Sequence, residues 1–259
     1  DPGDERWAHL LIECAKVAGF DRNDVLSDRA DGRELLRRIA GRADLVDPER
    51  CSHLVAPSGQ GDTTYLCTAQ IDGPGGPMGV SLIQSNASGF GSWIVEPNTQ
   101  INLHDRGLAF SLQEGHPAEL APGRRPPHTL SPTLASRAGD LVSVFGTMGG
   151  DAQPQILLQV AARMFLGGES PARAIAAARW ALTGVSSGFD TWRAPGGPGV
   201  AIEGHAPPSW DALAGRGHRV QRRASYDSGF GHAHAVNVDG AGLSAAADPR
   251  CRIGAALGR

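Results

Sequence analysis

The stretch with the clearest capacity for chemistry is Gly61-Asp62-Thr63-Thr64-Tyr65-Leu66, where a turn-rich linker gives way to strand-forming residues. Threonine, tyrosine and the branched aliphatics suit a pleated, half-buried surface, so Thr63 is predicted to stand at the head of a strand. Cleavage of the Asp62–Thr63 bond would leave a hydroxyl and a free α-amine on one residue. An α-amine with an ordinary pKa of about 8 can take up the hydroxyl proton. The oxygen can then attack an amide carbonyl. A Thr-Thr pair at a strand start is also ordinary β-propensity, so nucleophile and plain strand residue both stay open on spacing alone.

The flanking sequence supplies the elements that would position this residue. Residues 5–19 read as an amphipathic helix with Trp7, Leu10, Leu11, Cys14 and Val17 on one stripe. A second helix is predicted over 32–39, with Leu35, Leu36 and Ile39 inward and its arginines solvated. Residues 51–62 form an exposed linker, since Ala56-Pro57-Ser58-Gly59-Gln60-Gly61 is turn chemistry throughout. Beyond it, 64–69 is a strand, 72–77 a turn and 78–85 the antiparallel return. The glycines of that turn are not a phosphate loop, because no Gly-Lys-Ser/Thr and no helix follow. Residues 101–110 make a loop with a short strand. The long Pro/Gly/His loop over 113–129 is of the kind more often functional than idle. A buried strand over 141–145 leads to Gly149-Gly150. Helices are predicted over 153–165, with Ile156, Leu157, Val160 and Met164 inward, and over 171–181. Val200-Ala201-Ile202-Glu203, a Pro-started helix over 208–214 and strands at 230–238 and 241–246 complete an α+β chain.

Composition narrows the function classes. With 24 basic and 27 acidic residues among 259, the chain lacks the basic excess that nucleic-acid binding needs. No apolar run approaches the roughly 20 residues of a membrane span. Asp1-Pro2-Gly3-Asp4 does not open a signal peptide, and the absence of an initiating Met suggests that sequence precedes Asp1. The compartment is therefore open, cytoplasmic on this reading, with periplasmic or secreted as alternatives. Cys14, Cys51, Cys67 and Cys251 are scattered thiols without metal or redox spacing. His232-Ala233-His234 puts two imidazoles on one strand face, but no carboxylate cluster accompanies them, so a structural role is expected and no metal or cofactor is.

From Asp62 onward the chain resembles the small subunit of the gamma-glutamyltranspeptidase family, including its acylase-like branch. The resemblance is carried by Asp62-Thr63-Thr64-Tyr65, Val80-Ser81-Leu82-Ile83-Gln84-Ser85-Asn86 and Gly89-Phe90-Gly91-Ser92. Asn102-Leu103-His104-Asp105-Arg106-Gly107, Phe110-Ser111-Leu112, Gly115-His116-Pro117 and Leu120-Ala121-Pro122-Gly123 continue it. Arg125-Pro126-Pro127-His128-Thr129-Leu130-Ser131-Pro132, Gly146-Thr147-Met148-Gly149-Gly150, Ala178-Arg179-Trp180 and Ala247-Asp248-Pro249-Arg250 follow in the family's order.

This resemblance implies a four-layer αββα sandwich of the N-terminal nucleophile hydrolase type. Residues 1–62 would be the tail of the large subunit with its exposed linker, and 63–259 the small-subunit-like catalytic region, together one domain. The large-subunit sequence upstream of Asp1 would be the partner, and a small amide or peptide the substrate. Thr63 would be the self-cleaving nucleophile, with Asp62 on the other side of the cut bond. Ser85 would orient it, and the Gly149 and Gly150 N–H groups would hold the oxyanion, where losing one donor costs about 3 kcal/mol. Asp248-Pro249-Arg250 reads as a turn with a satisfied ion pair.

The implied pocket departs from the glutamyl-specific members. Ala87, Arg106 and Ala109 fall where those members place an Asn, a Gln and an Asp that grip the substrate α-amine. His128 and Thr129 fall where a serine pair holds the α-carboxylate, and Arg106 is assigned to substrate binding with them. The resemblance thus implies a γ-glutamyl-type hydrolase or acyltransferase of glutathione metabolism. Its alternatives are a glutaryl-amide or cephalosporin-type acylase, which suits Arg106 better, and a catalytically idle amide-binding relative.

Overall fold

A computed structural model describes residues 1–54, 56, 63–183, 199–240 and 242–258. Most of the 51–62 linker, including Asp62, therefore lies outside the described residues. The chain opens with α1 (Glu5–Gly19), capped by the Asp4 carboxylate, which accepts from the Arg6 N–H. Two shorter helices follow, α2 (Arg22–Val25) and α3 (Gly32–Ala40), the latter capped by Asp31.

The face that α1 buries is not the expected one. Ala8, His9, Ile12, Glu13, Lys16 and Val17 are buried, whereas Cys14 is exposed. The polar members are matched by distant partners. Lys16 Nζ donates to Glu13 Oε1 at 2.8 Å and contacts Cys51 Sγ at 3.0 Å, the Ser52 N–H donates to Glu13 Oε2, and His9 bonds His218 at 2.8 Å. A second correction concerns α3, which buries none of its residues. Leu36 is 68% exposed and Ile39 is also exposed, while Arg38 and Arg42 reach back to Asp21.

Strands β1 (Thr64–Gln70) and β2 (Met78–Gln84) form the antiparallel hairpin read from the sequence, in register from Thr64↔Gln84 to Gln70↔Met78. Alternation places Tyr65 inward, whereas Leu66, Met78, Val80 and Leu82 stand exposed on the outer face. The hairpin lies over a four-stranded antiparallel sheet ordered β3 (Thr133–Arg137), β4 (Asp140–Thr147), β8 (Ala233–Asp239), β9 (Gly242–Ala247). The sequence reading missed β3. On the sheet's other face sit α4 (Gln153–Phe165) and α5 (Pro171–Ala176), burying Leu157, Val160, Met164 and Ile175 against Phe145, Ala233 and Ala235.

A third sheet, β5 (Trp180–Thr183), β6 (Gly199–Glu203) and β7 (Val220–Arg223), packs with α1 and a 3₁₀ segment at Pro208–Arg216 around Trp180, Ile202, Trp210 and Leu213. The helix expected over 171–181 stops at Ala176, and Trp180 to Thr183 is strand. Two buried glutamines of α4 cause this. Gln159 bonds both the N–H and the carbonyl of Trp180, and Gln155 accepts from the Leu182 N–H. The segment expected as a helix over 208–214 is 3₁₀, and β7 was not foreseen. The architecture is α+β, and α1 packs on α4.

Candidate active site

Thr63 is half-buried and immediately precedes β1. Carried one step past Thr64↔Gln84, the hairpin register sets Thr63 across from Ser85, at the hairpin's open end. Directly opposed residues of an antiparallel pair have Cα atoms about 4.5–5.5 Å apart. Ser85 is held in place from two sides. Its Oγ accepts the Ala87 N–H at 2.9 Å and its carbonyl accepts Arg106 Nη2 at 3.1 Å. Ala87 is buried with φ of +80°, a left-handed bend that turns the chain out of β2.

The Gly149-Gly150 pair comes to the same end of the structure. The Tyr65 ring lies over Gly146, where an added Cβ would meet it at 2.2 Å, so only glycine lets β1 approach β4 there. Tyr65 is fixed by its hydroxyl, 2.8 Å from Ser81 Oγ, which in turn accepts the Thr133 N–H. Three residues beyond Gly146, Gly149 and Gly150 adopt φ of +142° and +56°, a backbone that glycine adopts without strain, and lead into a 3₁₀ turn at Gly150–Ala152. Behind the turn, Ile156 and Gly231 approach so closely that a Cβ on Gly231 would meet Ile156 Cδ1 at 2.5 Å and the Met148 carbonyl at 2.7 Å.

The turn is braced by a pair that sequence reasoning missed. Asp151 follows Gly150, has a fully buried side chain and forms an ion pair with Arg22 of α2. Its neighbour Gln153 is also fully buried, accepts the Ser131 N–H through Oε1 at 3.2 Å and leaves Nε2 without a partner among the described residues. The only sequence signal was polar residues directly after a Gly-Gly pair.

His128 and Thr129 sit on the segment that this contact anchors. Thr129 is buried and its carbonyl accepts Ser131 Oγ–H. His128 Nδ1 accepts the Leu130 N–H, and desolvation, helped by the nearby Arg106 and Arg22 cations, lowers the His128 pKa. Neutral imidazole with its proton on Nε2 is the form this arrangement selects. Arg106, on a short 3₁₀ turn at Arg106–Ala109, is only 8% exposed, and its Nη1 has no partner among the described residues. Arg106 is thus tied to the Ser85 carbonyl, and the Ser131–Gln153 bond ties the segment that carries His128 and Thr129 to the start of the helix after Gly149-Gly150. Asp62 lies outside the described residues.

Two other polar groups lie away from this site. His9, Glu13 and His218 bring one ligand atom each within 4.8 Å, all buried. Both Glu13 oxygens are engaged by Lys16 and Ser52, and His9 Nε2 bonds the Asp47 carbonyl, so the cluster is a hydrogen-bonded network tying α1 to distant segments. The Asp248-Pro249-Arg250 turn is part of a buried lattice in which Arg179 and Arg250 pair with Asp248 and Glu203. Arg179 also donates to the Phe230 and Gly231 carbonyls, which steadies the segment behind Gly149. His232 Nε2 lies 2.9 Å from Ser228 Oγ. Among the described residues no helix is long and apolar enough to cross a membrane.

Comparison with known proteins gives one consistent answer. The chain is 35% identical over 266 residues to the oxamate amidohydrolase proenzyme of Klebsiella pneumoniae, covering 100% of this chain and 48% of that protein. It is 34% identical over 263 residues to the glutathione hydrolase-like YwrD proenzyme of Bacillus subtilis, covering 99% of this chain and 48% of that protein. The crystal structure of cephalosporin acylase from Bacillus halodurans superposes with a TM-score of 0.72 at 26% identity, over 96% of this chain and 48% of that one. The chain spans about half the length of these relatives. A family model described as Gamma-glutamyltranspeptidase matches residues 1–258, and the chain belongs to that family.

Proposed function

We propose that this chain is the catalytic half of an N-terminal-threonine amidohydrolase or acyltransferase that cuts itself before Thr63. The observation that supports the reading is the hairpin register, which ends at Thr64↔Gln84 and, carried one step further, sets Thr63 across from Ser85, with Tyr65 packed over Gly146 on the strand that leads to Gly149-Gly150. Thr63 Oγ attacks the Asp62 carbonyl and displaces the Thr63 nitrogen. Water opens the resulting ester, leaving a free α-amine. In the mature site the amine takes the Thr63 hydroxyl proton as the oxygen attacks a substrate amide. The N–H groups of Gly149 and Gly150 hold the tetrahedral oxyanion, and Ser85 Oγ aligns the nucleophile and its amine. The leaving amine departs with that proton. Water or a second amine then releases the acyl group.

Residues 1–62 act as the tail of the large-subunit region and 63–259 as the small-subunit-like region of one domain. The relatives are proenzymes about twice this length. That supports an upstream segment that covers the exposed Leu66, Val80, Leu82 and Met78 face and completes a four-layer αββα sandwich. Named relatives act on oxamate and glutathione or are acylases, so the substrate is a small amide. A γ-glutamyl acyl group is one reading and a glutaryl-like acyl group the other. Arg106 favours the second, because a cation has replaced acceptors for an ammonium group.

The test is mass spectrometry of the purified full-length protein, which should show a fragment beginning at Thr63. Thr63→Ala should give one intact chain without turnover, and Thr63→Ser should keep part of both activities. An intact wild-type chain with full amidase activity would overturn the mechanism. An intact chain inactive on every amide would instead leave a catalytically idle amide-binding protein.

A further inference from the structure

Of the 24 lysine and arginine residues in the chain, only Lys16 is lysine. It lies on α1, 1% exposed, and takes no part in the proposed catalysis. Its ion pair with Glu13 does not by itself require lysine, because arginine pairs the buried carboxylates Asp151, Glu203 and Asp248. What sets lysine apart is its chemistry. An ammonium can lose a proton and become a nitrogen nucleophile, whereas a guanidinium stays charged. The group this nitrogen meets is a sulfur. Lys16 Nζ donates to Cys51 Sγ at 3.0 Å and to Glu13 Oε1 at 2.8 Å. Cys51 is partly exposed, whereas Lys16 and Glu13 are buried behind it. The backbone holds this thiol against its partner. The Cys51 N–H donates to the Arg216 carbonyl at 2.8 Å, and the Ser52 N–H donates to Glu13 Oε2 at 2.9 Å. Atoms held roughly 3–3.5 Å apart in a fixed orientation are poised to react.

We propose that Lys16 and Cys51 are an oxidative crosslink site, at which a hydroperoxide converts the pair to a sulfenamide, an S–N bond between Sγ and Nζ. In the first step Sγ attacks one peroxide oxygen. The S–O bond forms, the O–O bond breaks and sulfur loses two electrons to the peroxide. The thiol proton leaves with the displaced oxygen, as water or an alcohol. In the second step one Lys16 ammonium proton passes to Glu13 Oε1, and Nζ attacks the sulfenic sulfur. The S–N bond forms as the S–O bond breaks, and the hydroxyl departs as water with a second proton from the nitrogen. Two equivalents of a small thiol return both side chains and leave as a disulfide. The crosslink joins positions 35 apart in sequence and fastens the start of the 51–62 linker to α1. It does not involve Thr63, so it stands apart from the amidohydrolase reading.

The experiment treats the full-length protein with hydrogen peroxide, removes the excess with catalase and maps peptides without reductant. A peptide joining Lys16 to Cys51, about 2 Da lighter than the sum of its parts, should appear and should vanish with dithiothreitol. Tm should rise by about 5 °C with the crosslink, because closing a loop of this length restrains the unfolded chain. Lys16→Arg keeps the cation but cannot condense. It should lose the linked peptide, and dimedone should trap several-fold more Cys51 sulfenic acid. Cys51→Ser should lose both the linked peptide and the rise in Tm. The site is overturned if peroxide leaves Cys51 a free thiol in the parent. It is equally overturned if dimedone traps Cys51 to the same extent in the parent and Lys16→Arg, with no linked peptide in either. Should Lys16→Arg fail to fold, the linked peptide of the parent decides alone.

Discussion

Replacing Arg22 by Gln tests whether α2 braces the Gly149-Gly150 turn, proposed above to hold the oxyanion, through Asp151, 129 residues away. Arg22 pairs with Asp151, whose side chain is fully buried and directly follows Gly150, while Arg22 itself is 20% exposed. Removing one partner of a fully buried pair costs about 3–5 kcal/mol, because the remaining charge is stranded. Water reaches the Arg22 side and Asp151 keeps other contacts, so the loss here should be about 2–3 kcal/mol. The stranded carboxylate will pull toward solvent and tilt the Gly149 and Gly150 N–H groups. Losing an oxyanion donor outright costs about 3 kcal/mol of barrier, so a tilt should cost about tenfold in kcat with little change in KM. Urea denaturation reads the stability term, and steady-state kinetics with an amide substrate reads the catalytic one. Adding Asp151→Asn removes the stranded charge and should recover most of both losses, giving a coupling energy of more than about 0.5 kcal/mol. The reasoning fails if Arg22→Gln is as stable and as fast as the parent, or if the two substitutions are additive.

Other consequences follow from individual contacts. Burial, reinforced by nearby Lys16, depresses His218 from 6.5 to about 4, so the native state keeps it neutral where the unfolded chain binds a proton. Stability should be level above pH 6.5 and fall by up to about 3 kcal/mol between pH 6.5 and 4. Denaturation midpoints across that range should show the slope, and His218→Gln should flatten it. Gly146→Ala would drive a Cβ into the Tyr65 ring, so it should cost about 1–3 kcal/mol and slow release of the Thr63 terminus by shifting the head of β1. Thermal melts and a processing time course would check this, and Tyr65→Leu should relieve the clash.

Some of this protein was legible in its residues because the governing forces are local. The β1–β2 hairpin followed from strand-forming runs on either side of a Pro/Gly turn, and α4 from its apolar spacing. Thr63, Ser85, Gly149 and Gly150 were singled out by resemblance, and the register and the left-handed turn show how they can share one end of the molecule. The rest depended on partners that sequence order does not bring together. His9, Glu13 and Lys16 look like solvent-facing residues until His218, Cys51 and Ser52 arrive to satisfy them, which rotates the buried face of α1. Trp180 continues a helical pattern until Gln159 captures its backbone for a strand. The sequence places a cation at Arg106. Only the tertiary structure takes that cation out of water, ties one arm to Ser85 and leaves the other without a partner among the described residues, because burial and hydrogen-bond satisfaction belong to the assembled chain.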